Sequence, residues 1–271
     1  MPPISAVIIA LDEVSRIAEA VRSVRWADEV LVVDGGSRDG TAEAARREGA
    51  RIIENPWPGF PQQKNFAAES ARHDWIFSLD ADERATPELV GSIRTLGDGL
   101  ARRAGYEVAR RPVFYGRRLR FGGYYPGYRV RLYDRRRGRW NDRPVHERVV
   151  VQRPVGRLDG DLLHFTGHGL EADYRRMLRF TALAAGQAVG QGRRAGFVQL
   201  LVRPPAAFVW RYFLRLGLLD GAPGLIAAAQ SSLYAFLKLG RTWEAAEIAR
   251  RGAHRAPTPR PSPAHQAGPR P

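Results

Sequence analysis

Two apolar runs of strand length, Val30–Val33 and Trp75–Leu79, each deliver an aspartate, Asp34 and Asp80, into a turn. A strand with no polar face has nothing to offer water, so it must be covered on both sides, as in the parallel sheet of an α/β protein. Helical periodicity falls between such runs: near Val14–Val24, from Thr41 to about Glu48 before Gly49, and from near Gln62. With Ile4–Ala10 and Arg51–Glu54 as further strands, the order is βαβαβ. Open α/β sheets bind ligands beyond the carboxyl ends of their strands, so Asp34, Asp39, Asp80 and Asp82 are expected to converge on one ligand. In extended backbone Asp80 and Asp82 point to one side with Cα atoms ~7 Å apart, a spacing that suits a divalent cation.

The rest of the chain changes character twice. Thr86-Pro87-Glu88 reads as an N-cap, a first-turn proline and an acid at the positive end of a helix running to about Leu96. From Gly105 to Val151 short β-like pieces (Tyr106–Ala109, Val113–Tyr115, Tyr128–Tyr133, His146–Val151) are expected to complete the sheet and cover the site. From Glu171 onward the pattern is helical, with Phe197–Leu219 and Leu225–Leu239 rich in large apolar residues and interrupted at Pro204-Pro205 and Pro223-Gly224. The uncharged run Ala222–Leu237 is shorter than the ~20 residues of a spanning helix. It fits amphipathic helices lying on a membrane with Arg203, Arg211, Arg215 and Arg241 near headgroups. A helical cap or a dimer interface fits as well. Past Gly252 the proline content excludes a fold. The expected units are therefore 1–165, an α/β domain; 166–252, a helical extension; and 253–271, a tail.

Several classes are excluded. The turn after the first strand, Ala10-Leu11-Asp12-Glu13-Val14, has no glycine for a dinucleotide fingerprint, and Gly35–Thr41 lacks the lysine of a phosphate-binding loop. The absence of cysteine excludes disulfides and thiolate chemistry and fits a reducing compartment. The start, Met1-Pro2-Pro3-Ile4, enters a strand without an apolar leader, so no signal peptide is expected. The net charge of +15 suits nucleic acid, anionic lipid or phosphorylated substrates. Only Lys64 and Lys238 are lysines, so single arginines carry little information. What remains is an acidic pocket for a base and ribose at Asp12, Asp34 and Asp39 beside a metal site at Asp80 and Asp82: a place for a nucleoside diphosphate.

At this point Val32-Val33-Asp34-Gly35-Gly36-Ser37-x-Asp39-Gly40-Thr41 with Asp80-x-Asp82 resembles the family 2 inverting glycosyltransferases of GT-A fold. Gln63-Lys64-Asn65, Val145-His146-Glu147 and Leu218-Leu219-Asp220-Gly221-x-Pro223-Gly224 extend the likeness to the bacterial lipopolysaccharide core β-1,4-glucosyltransferase group, up to about Glu247. The resemblance implies a GT-A nucleotide-diphospho-sugar transferase domain with a mostly parallel central sheet and a C-terminal helical extension. It implies that Asp34 bonds a uracil-type base with Asp12 and Glu13 near it, although relatives often carry Asn-Glu there, and that Asp39 shapes the turn. Asp80 and Asp82 would hold a UDP-glucose-type donor through ribose and a diphosphate bridged by Mg²⁺ or Mn²⁺, and Lys64 would reach a phosphate or the donor sugar. Relatives place a Val-His-Glu where Glu147 stands, which makes Glu147 the candidate base for inverting transfer, with Asp142 its competitor. His146 and His164 are candidates for the downstream histidine that joins the acidic pair; His73 and His168 read as structural. Arg129, Arg131 and Arg135–Arg137 read as a solvated basic face or as diphosphate contacts.

These readings predict an enzyme that moves a hexose from a nucleotide sugar to a glycolipid, at the inner face of the cytoplasmic membrane. The alternatives are a sugar nucleotidyltransferase, which would want a basic glycine-rich loop after the first strand, and a basic nucleic-acid-binding protein, for which no motif is present.

Overall fold

The computed structural model describes residues 1–142, 147–166 and 169–255. Strands β1 (Ile4–Ala10), β2 (Glu29–Asp34), β3 (Arg51–Glu54) and β4 (Trp75–Asp80) form a parallel block in the order β3-β2-β1-β4. Helices α1 (Val14–Ser23), α2 (Thr41–Arg47) and α3 (Phe60–Ser70) make its crossovers. Every residue of β1 is buried, and the pleat sends its side chains to two separate cores. Ile4, Ala6 and Ile8 meet Ile17, Ala20 and Val21 of α1 on one face. Val7 and Ile9 meet Ala67 and Ala68 of α3 on the other.

Beyond β4 a short strand β5 (Glu83–Ala85) leads into α4 (Pro87–Thr95), whose N-cap Thr86 Oγ1 accepts from Leu89 N–H as expected. Strands β6 (Gly105–Phe114), β7 (Arg117–Arg118), β8 (Gly127–Asp134) and β11 (Val155–Thr166) continue the sheet as β4-β8-β6-β11-β5. Strand β8 runs antiparallel to β4 and β6, and β11 runs parallel to β6. A separate ribbon, β9 (Gly138–Trp140) with β10 (Val149–Val151), stands over α3 through Asn65, which bonds both the N–H and the carbonyl of Trp140.

Two segments depart from expectation. β11 crosses a stretch for which no strand is predicted. Gly160, at φ +86°, interrupts its alternation where the register with β6 shifts, and a Cβ there would stand 2.3 Å from Leu89 N. Pro204-Pro205 do not break their helix either. α6 (Phe197–Val209) runs through both and continues into a π-helical turn at Trp210–Leu214. Its packing against α7 (Ala222–Arg255) outweighs the lost N–H donors, and Ser232 Oγ–H bonds the Pro204 carbonyl. With α5 (Leu170–Gly190), these helices follow β11. α7 ends at Arg255, three residues past the expected end of the helical extension at 252. No described helix is long and apolar enough to cross a membrane.

Candidate active site

The carboxyl ends of β1, β2 and β4 lie side by side, and each ends in a turn held by its own acids. Asp34 is buried and accepts from Gly36 N–H (3.1 Å), Ser37 N–H (2.9 Å) and Ser37 Oγ–H (2.5 Å), which uses three of its four acceptor positions. Asp39 accepts from Thr41 N–H and Oγ–H and from Val14 N–H, so it joins the β2 turn to the start of α1. Burial would raise its carboxyl, but these bonds hold it below the ordinary value. Asp12, at φ +54°, accepts from Arg38 N–H across the two turns, and Thr41 Oγ accepts from Glu13 N–H. Burial pushes the Glu13 carboxyl up, and the charge of Asp82 adds to the shift.

At the end of β4 the acids divide. Asp80 Oδ1 lies 2.9 Å from Lys64 Nζ, and Oδ2 lies 3.2 Å from Arg131 Nη2 and 3.8 Å from Arg110 Nη2. Burial opposes its charge, yet the three cations, Lys64 first, hold it well below the usual carboxylate range. Lys64 Nζ also lies 3.1 Å from Glu147 Oε1 and 4.3 Å from the Trp140 ring centroid. One buried ammonium thus links the carboxylate that ends β4 to the carboxylate that leads into β10. Glu83 completes the group. It is fully buried, accepts from Asp80 N–H at 3.0 Å, and pairs with Arg131 at 2.7 Å and Arg110 at 2.5 Å.

Asp82 faces a different partner, because the chain turns at Ala81 and Asp82 instead of staying extended. Its Oδ2 is 3.2 Å from His164 Nε2 on β11. Burial alone would raise its carboxyl, but the bond and charge of His164 bring it down to about 2. Its Oδ1 is buried with no hydrogen-bond partner among the described residues. Arg84 braces this turn by donating to the carbonyls of Ala81 and Glu83. A carboxylate oxygen left without a partner beside an imidazole is a donor pair that would fit a divalent cation. Among the described residues, no three His, Asp or Glu side chains gather as a ready-made metal cluster.

The structure therefore brings together Asp80, Lys64 and Glu147 in one cluster and Asp82 and His164 in another, with Asp12, Glu13, Asp34 and Asp39 on the adjoining turns. It does not point Asp80 and Asp82 at one shared partner. Asp142 is exposed, 3.9 Å from Arg139. His146 and His168 lie outside the described residues. Arg131 is not part of a solvated face: it is buried against Glu83 and Asp80. Arg135 is structural, donating to the carbonyls of Ala68, Glu69 and Ala71 at the end of α3. The sequence leaves Glu83 open between orienting the loop, binding substrate and facing water, and in the structure it holds the loop through Asp80 N–H; the role of Arg110 has no counterpart in the sequence reading. The available signal was Arg131 set between Val130 and Leu132-Tyr133 in β8: an arginine among such apolar neighbours needs a buried carboxylate.

The sequence profile described as "Glycosyl transferase family 2" matches residues 5–157. The lipopolysaccharide core biosynthesis glycosyltransferase LpsC of Rhizobium meliloti (strain 1021) is 34% identical over 258 residues, covering 89% of this chain and 92% of that protein. The uncharacterized glycosyltransferase RT0209 of Rickettsia typhi (strain ATCC VR-144 / Wilmington) is 28% identical over 257 residues, 90% of this chain and 88% of that one. Among solved structures, glucosyl-3-phosphoglycerate synthase from Mycobacterium tuberculosis, in complex with Mn²⁺, UDP and phosphoglyceric acid, aligns with a TM-score of 0.34 and 23% identity over 42% of this chain and 44% of that one.

Proposed function

This chain belongs to glycosyltransferase family 2, and from that premise we propose that it transfers a hexose, glucose foremost, from a UDP-type nucleotide sugar to a glycolipid acceptor of the lipopolysaccharide core, with inversion. Membership of a transferase family sets aside the nucleotidyltransferase and nucleic-acid-binding readings. The lipopolysaccharide-core acceptor follows the relative that shares most of its length with this chain, and the acceptor would be met at the inner face of the cytoplasmic membrane. The observation that carries the reaction is the Asp80–Lys64–Glu147 relay, which puts a carboxylate beside the acidic ends of the donor-side strands.

On this reading Asp34 keeps one acceptor position for the base, with Asp12 and Glu13 beside it and Asp39 holding the turn. Glu147 accepts the proton of the acceptor hydroxyl as that oxygen attacks the anomeric carbon. The bond from that carbon to the diphosphate breaks on the opposite face, and the nucleoside diphosphate leaves with the electron pair. Lys64 orients Glu147. Asp80 acts through Lys64 and Arg131, and Arg110, partly open to solvent, stands where a phosphate oxygen would enter. Asp82 and His164 are the residues that would hold Mg²⁺ or Mn²⁺, which when bound neutralises charge on the diphosphate.

The test is transfer from UDP-glucose to extracted core glycolipid. Glu147→Gln is expected to lower turnover by about 10²- to 10⁴-fold while donor affinity, read by calorimetry, stays within about twofold. EDTA is expected to abolish transfer and added Mn²⁺ to restore it. Turnover unchanged in Glu147→Gln would remove that residue as the base.

A further inference from the structure

The helical extension carries an apolar edge that no other described residue covers. On α6 the residues Phe197, Val198, Leu201 and Val202 form one stripe at helical spacing, and Phe197 and Leu201 are 76% and 63% exposed. The stripe continues through the π-helical turn, where Trp210, Phe213 and Leu214 are exposed, and reaches Leu219, which is 58% exposed. Between α6 and α7 the same edge opens into a groove of about 470 Å³ lined by Leu201, Pro204, Phe208, Leu233 and Phe236. Single exposed apolar residues are ordinary, but a contiguous edge of this extent marks a contact surface.

Charge identifies what it contacts. Residues 174–219 contain eight arginines and no aspartate or glutamate. Arg193 and Arg194 directly precede α6, Arg215 follows the π-helical turn, and all three are exposed. Arg215 lies 5.0 Å from the ring of Trp210, and Arg211 lies 4.3 Å from that of Tyr124, which sets guanidinium and aromatic groups together at the rim of the apolar edge. Apolar side chains for the acyl boundary, aromatic rings at the headgroup level and exposed cations such as Arg193, Arg194 and Arg215 for anionic lipid are the three components of an interfacial helix. A second copy of the same surface would bring the five arginines of residues 193–219 against five.

We propose that the segment from Arg193 to Leu219, with the facing side of α7, docks on an anionic bilayer, with Phe197, Leu201, Phe213 and Leu214 entering the acyl boundary. It rests on the reading above only in that the acceptor lies in a bilayer; binding itself needs no transfer. The surface is also fixed to the sheet. Asp220 accepts from Arg120 N–H and Phe121 N–H, Gly122 N–H bonds the Arg215 carbonyl, and Ala227 packs with Phe114 and Leu119. A docked bilayer would therefore stand at a set distance and angle from the active site.

The experiment is co-sedimentation of the full chain with vesicles of phosphatidylcholine containing phosphatidylglycerol, against phosphatidylcholine alone. Binding is expected only with phosphatidylglycerol, weakening as salt rises. The triple variant Phe197→Ser, Leu201→Ser, Leu214→Ser changes exposed side chains only. It is expected to lose binding at least about tenfold while unfolding at an unchanged urea midpoint and binding UDP-glucose as before. Equal pelleting of the triple variant overturns the proposal. So does a wild-type dimer by light scattering that the triple variant converts to monomer without any vesicle binding. Vesicle binding retained by Glu147→Gln, whatever the outcome of the transfer assay, keeps this result separate from the activity.

Discussion

Glu83 shows how a single residue organises the site without needing to touch substrate. One of its oxygens accepts from Arg131 and Arg110, and the other accepts from the N–H of Asp80. Those two arginines then balance Asp80 on the open side. Taking charges out of water is costly, and the group is stable only because each member is met by a partner. Removing Glu83 would leave the Arg131 guanidinium, only 5% exposed, with part of its charge unopposed. Glu83→Ala is expected to cost about 3–5 kcal/mol in unfolding free energy by urea titration. A cost under about 1 kcal/mol would show that Asp80 and Glu147 can take over both arginines. The side chain was visible in the sequence as the third acid after β4, but its role was not, since the arginines that give it one are 27 and 48 residues further along the chain.

Legibility at the scale of elements followed how locally each element is determined. Strands β1, β2 and β4 were legible because they are covered on both faces and so consist largely of apolar runs, and α4 because its cap, proline and acid lie within three residues. β11 was not, because its bulge at Gly160 exists to admit the start of α4, a tertiary contact that leaves no periodic mark. The parallel block also has a titratable tie. Glu29, at the start of β2, accepts from Ser5 Oγ–H of β1 (2.6 Å), Arg51 Nε–H of β3 (2.9 Å) and Arg72 N–H ahead of β4 (2.7 Å). Burial would raise its carboxyl, but these bonds outweigh it and hold the folded value below the ordinary 4.5. A carboxyl lowered in the folded state binds protons more readily when unfolded, so its stabilisation is full above about pH 4.5 and is lost as pH falls through the lower folded value. Glu29→Gln is therefore expected to reduce stability at pH 7 and to flatten the acid limb of the stability curve below about pH 4.5. An acid limb with unchanged slope would assign that limb to other carboxylates.

Across the whole molecule, acids gather at the ends of β1, β2 and β4, while residues 174–219 of the helical extension carry arginine and no acid, so the two halves face ligands of opposite demand. The joint between them is small and polar: Asp220 caps two consecutive N–H groups of the 120–121 segment, and Arg211 donates to the Gly122 carbonyl. Among the described residues, the buried apolar contact beside it is formed by Phe114, Leu119 and Ala227, with Tyr115, Tyr124 and Ile226 around them. A joint of this size holds a fixed angle through its hydrogen bonds more than through buried area, because few apolar side chains cross it. Asp220→Ala would leave two N–H groups without their acceptor, at a local cost of about 1–3 kcal/mol. The helical extension is then expected to open before the sheet does. Limited trypsin digestion should cut faster at Arg193, Arg194 and Arg215 in the variant, while the fragment up to Thr166 stays resistant at the wild-type rate. If both regions were cut faster to the same degree, the extension would be part of one cooperative unit with the sheet, and the angle between bilayer and active site would be set by the whole core and not by this joint.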